Sequence, residues 1–391
     1  MAVAASVLLS VSVGGAVLAA TPSDSDRDGL ADRFEIRYHL DPASRDSDHD
    51  GIRDSSEDAD GDGLSALGEQ MAGTAPRRAD TDRDGLPDGQ EDADGDGVDN
   101  QHEQDRRPLP KTLHPALGEA RLDQPASWWD GCHVKPPDVD VRPCTYGKPD
   151  AGTTVVLFGD SHAAQWLPAF DRAGRAAGWR IVSITHSGCP AADLVAPDAL
   201  VDVACGAWRQ AALDWIQANP PELVVMVSGR MYQQRDAAGD PLPEDGAVAA
   251  WAAGSVRTVN HLAGLHVLDL GDTPHPKVSV PPCLVGHRVI APCTTPRTRG
   301  ALADWDAAEA GAVEGLGVRF RSPYALVCPY DPCPVVNGDI LMWRDDHHLT
   351  ATFSRALAPS IQAIVADALD TVGLAHARRP PRAHRGTTHH R

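Results

Sequence analysis

From about residue 150 the chain alternates short apolar runs, rich in β-branched side chains, with Ala-rich stretches of helical character. The runs TTVVLFG (153–159), RIVSIT (180–185), ELVVMVSG (222–229), LHVLDLG (265–271) and GVRFRS (317–322) predict strands. Helices are predicted over 163–177, 207–218, 246–263, 301–314 and 350–372. Near-continuous apolar strands separated by helices indicate an α/β fold, a parallel sheet covered by helices. In such open sheets ligands sit beyond the carboxyl ends of the strands, so the residues after each strand are the first candidates for chemistry.

The first strand runs out at Phe158 into Gly159, Asp160, Ser161 and His162, a turn that leads directly into a helix. At such a turn the Ser161 hydroxyl can be exposed, and helix N-terminal amides can stabilise an oxyanion beside it. Asp and Ser also cap helices, so this turn alone leaves nucleophile and plain cap open. A partner base lies near the far end, in WRDDHHLTATFSRAL, where Asp345 precedes His348 by three residues just ahead of the last helix. A hydroxyl nucleophile needs a base to take its proton and a carboxylate to orient that base. Asp346 and His347 compete for the same roles, and spacing does not choose between neighbours.

Toward the N-terminus apolar periodicity gives way to the pattern D-x-D-x-D-G-x5-E, which occurs five times between residues 24 and 103. The first loop holds Asp24, Asp26, Asp28, Asp32 and Glu35, and the second Asp46, Asp48, Asp50, Asp54 and Glu57. The third holds Asp58, Asp60, Asp62 and Glu69, the fourth Asp80, Asp82, Asp84, Asp88 and Glu91, and the fifth Asp92, Asp94, Asp96, Asn100 and Glu103. Carboxylates at loop positions one, three and five, Gly at six and Glu at twelve are the ligand arithmetic of a Ca2+ loop. Position nine offers a further oxygen in four copies and is Ala66 in the third. The loops start 22, 12, 22 and 12 residues apart, which leaves no room for the flanking helices of paired EF-hands, so they are expected side by side.

Charge sharpens this reading. Of 391 residues, 35 are Lys or Arg and 55 are Asp or Glu, a formal charge of −20. Residues 21–105 hold 26 of the carboxylates against 8 Lys and Arg, net −18, so one segment carries almost all of it. A face that acidic repels phosphate backbones, which removes nucleic acid from the expected partners and makes a divalent cation the natural one. Composition alone also fits an acidic disordered linker, but five complete loops favour calcium.

Residues 1–20 are an uncharged apolar run ending in small residues, read as a signal peptide with a membrane anchor as the alternative. The eight cysteines all lie beyond residue 130, are even in number and include no CxxC pair, as expected of an oxidised, exported domain rather than a zinc site. The expected location is secreted, periplasmic or cell-surface. A chain this long suggests two domains of roughly 150 residues plus appendages. The expected division is a leader (1–20), calcium loops (21–105), a Pro-containing semi-rigid linker (106–129), the α/β domain (130–374) and a basic disordered tail (375–391). Trp128 and Trp129, at the end of the linker, are either a sugar-stacking platform or packing residues.

GDSHAAQW at one end and DDHHLT at the other resemble the SGNH hydrolase superfamily. More narrowly, residues 130–372 are similar to the SGNH domain attached to membrane acyltransferases that O-acetylate surface polysaccharides. The shared features are CTYG before the first strand, HSGCP after the second, GDTP after the fourth, the CPYDPC couple and DDHHLT. The resemblance implies a flavodoxin-like three-layer fold with a parallel sheet, Ser161 as nucleophile, His348 as base and Asp345 as its orienting carboxylate. It also implies an oxyanion hole from the N–H of Ser161 and from Gly188. The superfamily's third donor, an Asn, has no counterpart here, where Ser228, Gly229 and Arg230 follow the third strand. Arg230 is either a substitute donor or a structural ion-pair partner.

The family's cysteine order, together with sequence proximity, implies the local pairs Cys132–Cys144, Cys189–Cys205, Cys283–Cys293 and Cys328–Cys333. The acidic segment, with its connectors HLDPASRDSD and GTAPRRADTD, resembles thrombospondin type 3 repeats, in which the chain wraps a row of calcium ions. The implied function is a serine-dependent acyl esterase or O-acyltransferase acting on acylated cell-surface or extracellular glycans, with structural Ca2+ and no cofactor for catalysis. The multi-span membrane domain of the acetylating enzymes is not in this sequence. Acyl groups are therefore expected either to pass to water or to arrive from a separate membrane acyl-donor protein. The competing expectation is a calcium-dependent structural or adhesion protein whose SGNH-like domain only binds glycan.

Overall fold

The computed structural model describes residues 23–94, 98–106, 108–194, 199–232, 234–235, 240–287, 289–296 and 299–370; the leader, the tail and Asp96 lie outside them. One sheet contains β1 (His133–Val134), β2 (Cys144–Gly147), β3 (Thr153–Gly159), β4 (Trp179–His186), β5 (Leu223–Val227), β6 (Val267–Leu270) and β7 (Arg319–Arg321). Its order is β1-β4-β3-β5-β6-β7, with β2 also on β4. All pairings are parallel except β2 with β4. The five apolar runs in the sequence are the five strands β3 to β7. The two short strands lack such runs, and they divide the outer edge of β4 between them.

The alternation along β3 shows why helices cover both faces. Val155 and Leu157 join a core with Ala163, Trp166 and Phe170 of α4 (Ser161–Ala177) and with Phe353 and Ile361 of α10 (Ala351–Ala356) and α11 (Ala358–Asp370). Val156 and Phe158 join the opposite core with Trp208 of α5 (Ala199–Ala218), Val259 of α6 (Glu244–His261) and Val313 of α8 (Arg299–Glu314). Two short helices, α7 (Val280–Gly286) and α9 (Tyr324–Val327), stand between the longer ones. A strand buried on both faces makes the central layer of a three-layer α/β fold. The four expected cysteine pairs are all formed. Among the described residues no helix is long and apolar enough to cross a membrane.

The acidic loops carry only short helices, α1 (Asp32–Tyr38), α2 (Ala66–Ala72) and α3 (Asn100–Glu103), and they lie side by side. Gln70 joins the third loop to the first, accepting from Ala31 N at 2.7 Å and donating to Gly29 O at 3.2 Å. Gln104 repeats this with the fifth loop on the third, accepting from Ser65 N at 2.9 Å and donating to Gly63 O at 2.8 Å.

The row is docked on the α/β domain at the hairpin of β8 (Val336–Asn337) and β9 (Ile340–Leu341). Arg53 pairs with Asp339, Ser56 Oγ donates to Asn337 Oδ1 at 3.2 Å, and Gln101 Nε2 donates to Asp331 O at 2.7 Å. Gly338 sits under Arg53, where a Cβ would lie 2.5 Å from Nη1.

The Pro-containing stretch expected as a linker is instead laid against the domain. Leu113 and Ala120 are buried in the core of the α4 face, and the backbone of His114 bonds to Asp339 O and from Leu341 N. Prolines remove donors but do not prevent apolar side chains between them from being buried, which is why composition misread this segment.

Candidate active site

The sharp exit from β3 sets the site. Gly159 has φ +151°, and a Cβ there would lie 1.8 Å from Val227 O, so no other residue fits where β3 and β5 converge. Asp160 follows as the N-cap of α4: Oδ1 accepts from His162 N at 2.8 Å, while Oδ2 accepts from Gly229 N at 2.9 Å and the Tyr232 hydroxyl at 2.7 Å. One buried carboxylate thus ties the helix start to the loop after β5, and Ser161 becomes the first residue of α4.

The segment before α10 meets it there. Ser161 Oγ lies 2.9 Å from His348 Nε2, and His348 Nδ1 lies 2.9 Å from Asp345 Oδ2. Asp345 Oδ1 accepts from the backbone N–H of His347 and His348 at 3.0 and 2.7 Å. Leu349 N donates to Gln165 Oε1 at 2.8 Å, which anchors this loop to α4 beside the serine. The geometry separates the neighbours that spacing left equivalent: the exposed Asp346 bonds the His347 ring at 2.7 Å, and neither bonds Ser161.

The electrostatics of the relay follow from burial and pairing. Burial pushes the His348 imidazole down to about 3, with Asp345 opposing and His162 and Arg344 adding to the shift. Burial alone would raise Asp345, but the hydrogen bond and charge of His348 and two backbone donors hold it far below the usual carboxylate range. A neutral His348 with a free lone pair on Nε2 can accept the proton of the Ser161 hydroxyl.

Gly188 follows β4 in a left-handed conformation, φ +74°. Among the described residues neither its N–H nor that of Ser161 donates to another group. Arg230 is not available as the third donor. Its buried guanidinium is turned by both Nη groups to Asp306 at 2.5 Å and Glu309 at 2.7 Å, which is the structural ion pair of the two alternatives. Glu309 in turn accepts from Trp251 and Ser255, so the arginine serves the packing of α6 against α8.

A second imidazole array lies alongside, which the sequence reading did not pick out. The fully buried His162 ring bonds Asp272 Oδ1 through Nδ1 at 2.6 Å, and Asp272 Oδ2 accepts from His275 Nε2 at 2.9 Å and Arg230 N at 2.7 Å. Burial alone would lower His162, but the Asp272 carboxylate outweighs it and raises it, while His162 and His275 hold Asp272 well below the usual range. Gly229 makes room for this ring, since a Cβ there would approach it to 2.8 Å. The signal was present as a His directly after the serine and an Asp after β6.

Of the tryptophans, Trp128 is packing: it stacks on His133 at 4.5 Å beneath Lys135 and Arg344. Trp129 is 64% exposed.

In the acidic loops, oxygens of Asp24, Asp26 and Asp28 lie within 4.8 Å of one another. At position twelve Glu35 and Glu69 are buried with both carboxylate oxygens lacking a hydrogen-bond partner. Burial first, and the surrounding carboxylates next, push Glu35, Glu57 and Glu69 up to about 8 and Asp28, Asp50 and Asp62 up to about 6.

The side chains at position nine also brace their own loops. Asp32, Asp54 and Asp88 accept from the backbone and hydroxyl of the residue at position two, Ser25, Ser47 and Thr81, and Asn100 accepts from Ala93 N. The third loop has Ala59 at two and Ala66 at nine, so brace and braced residue are missing together.

A family model described as an SGNH domain, fused to AT3 domains, matches residues 131–363, more than half of the chain. Among solved structures, the periplasmic domain of a lipopolysaccharide acetyltransferase from Salmonella Paratyphi A is similar at 15% identity and a TM-score of 0.44, covering 56% of this chain and 86% of that one. A carbohydrate acetylesterase from Sinorhizobium meliloti gives 17% identity, a TM-score of 0.35 and coverages of 55% and 99%. A carbohydrate esterase family 2 enzyme with a carbohydrate-binding domain from Corynascus thermopiles gives 18%, 0.36 and coverages of 57% and 68%. No curated protein matches the chain.

The two arrays predict opposite titrations. NMR of the imidazole resonances, assigned with His162→Gln and His348→Gln, should show His348 titrating below 6.5 and His162 above it. His348 is then neutral and able to accept a proton throughout the neutral range. The reverse order would contradict the electrostatic account of the site.

Proposed function

The chain belongs to the family of SGNH domains fused to AT3 domains, and from that premise we propose an exported, serine-dependent acyl esterase or O-acyltransferase that acts on acylated glycans. The observation that carries this reading is the continuous Ser161–His348–Asp345 relay at the carboxyl end of β3. Ser161 Oγ attacks the ester carbonyl while its proton passes to His348 Nε2. The N–H groups of Ser161 and Gly188 receive the oxyanion. Collapse expels the alcohol, which takes the proton from His348, and leaves the acyl group on Ser161. Water or a sugar hydroxyl, deprotonated by His348, then attacks the acyl-serine and restores the free enzyme.

The glycan substrate rests on the sequence resemblance to domains that acetylate surface polysaccharides, and the donor on a separate membrane protein in the same role. Export is supported by four disulfides and the apolar N-terminal run. Calcium in thrombospondin type 3-like repeats is supported by the buried, unpartnered carboxylates of Glu35 and Glu69. A hard cation with oxygen ligands is the partner such groups lack. Its role is structural: the loops it would hold together are those that grip the β8–β9 hairpin leading into Asp345 and His348.

Ser161→Ala should lower hydrolysis of p-nitrophenyl acetate by at least about 1,000-fold. Wild-type turnover should yield acetylated sugar when candidate oligosaccharides are supplied. Equal rates in wild type and variant would sink the enzymatic reading in favour of a glycan-binding adhesion protein. Acetate release indifferent to every acceptor would leave an esterase.

Calorimetry on the full chain should detect several calcium ions, and chelation should open residues 23–106 to proteolysis. If neither heat nor chelator-sensitive cleavage is seen, the calcium reading fails.

A further inference from the structure

We propose that His162, His347 and His348 form a site for a nitrogen-preferring divalent ion such as Zn2+, and that the bound ion switches the relay off. The switching rests on the acyl-transfer reading of the same site, whereas the metal site stands on its own geometry.

One ring nitrogen from each of the three histidines lies within 4.8 Å of the other two. All three rings spend Nδ1 on a carboxylate: His162 on Asp272 at 2.6 Å, His347 on Asp346 at 2.7 Å and His348 on Asp345 at 2.9 Å. Carboxylates at Nδ1 are what orient histidines that present Nε2 to zinc. The fully buried His162 leaves Nε2 without a hydrogen-bond partner among the described residues, an unmet polar atom beside the relay that an ion would satisfy. Three nitrogen ligands and one water make a four-coordinate zinc site, while Ca2+ prefers the oxygen-rich loops and would not compete for the imidazoles.

Two of the ligands are fixed and one is adjustable. The rings of His162 and His347 are stacked, 5.7 Å apart and 8° from parallel, so they cannot both bind one ion in plane as they stand. His347 is only partly buried, its ring hydrogen-bonds the exposed Asp346 with Asp345 Oδ1 farther off at 3.7 Å, and it lies 3.9 Å from the His348 ring, so turning it completes the set. Binding displaces any proton held on Nε2 of the three rings. It also occupies the lone pair with which His348 accepts the Ser161 proton, so the serine is no longer activated while the ion is present.

The test uses calcium-saturated full-length protein titrated with Zn2+ for ester hydrolysis and with Co2+ for visible absorption. One zinc beyond the calcium complement should abolish hydrolysis, and cobalt should give the intense absorption of a four-coordinate site. His347→Gln should keep basal hydrolysis, weaken zinc inhibition by at least about 10-fold and lose the cobalt band. Asp346→Asn should weaken both more mildly. A cobalt band that survives His347→Gln, or zinc inhibition equal in wild type and variant, overturns the proposal. Since the cobalt band needs no turnover, a protein inactive on every ester would defeat the acyl-transfer reading and leave the metal site decided by its spectrum.

Discussion

The 2.9 Å contact between Ser161 Oγ and His348 Nε2 joins residues separated by 187 positions, and most of the domain's architecture can be understood as what holds it in place. The serine is delivered by the exit of β3 into α4, the histidine by the loop that precedes α10. Those elements meet because α10 and α11 pack on α4 across one face of the sheet, in the core that also holds Val155 and Leu157. Gln165 and Leu349 make a second bond between the same two segments, and Thr350 caps α10 while its hydroxyl donates to Leu341 O at 2.7 Å. A hydrogen bond geometry with a tolerance of tenths of an ångström thereby rests on a helix start and on a loop anchored to the regular elements around it.

Close backbone approach is the second requirement. Gly159 lets β3 pass Val227 O, and Gly229 lets the loop after β5 lie against the His162 ring. Asp160 uses both carboxylate oxygens to lock that loop to the helix start. Burial of the ionisable groups around the site is offset by pairing: Asp345 with His348, Asp272 with His162 and His275, Arg230 with Asp306 and Glu309. Glu35 and Glu69 in the acidic loops are the contrast: they are buried, and among the described residues their carboxylate oxygens have no hydrogen-bond partner.

Strands buried on both faces wrote themselves into the chain as apolar runs, so β3 to β7 were legible in the sequence; the helices between them were legible in place but not in extent, since α5 begins at Ala199 rather than 207 and the stretch expected as one helix over 350–372 is two, α10 and α11, broken at Leu357. So were Ser161 and the pair Asp345 and His348, because a turn and a fixed spacing are local. What was not legible depends on neighbours distant in sequence. Arg230 could be an oxyanion donor or an ion-pair partner until Asp306 and Glu309, on another helix, were seen to claim it. Asp346 and His347 were equivalent to their neighbours until the direction of each side chain was known. The segment before Trp128 read as a linker because its buried residues, such as Leu113 and Ala120, are few and irregularly spaced.

The central claim is that Ser161 becomes covalently acylated through His348. The most direct measurement is mass spectrometry of the protein quenched during turnover of an acetyl ester, followed by peptide mapping. The account predicts a single acetyl group on the peptide containing Ser161, accumulating in wild type and lost in His348→Gln. Turnover without that adduct under rapid quench, or acetyl on another residue that persists in Ser161→Ala, would contradict it.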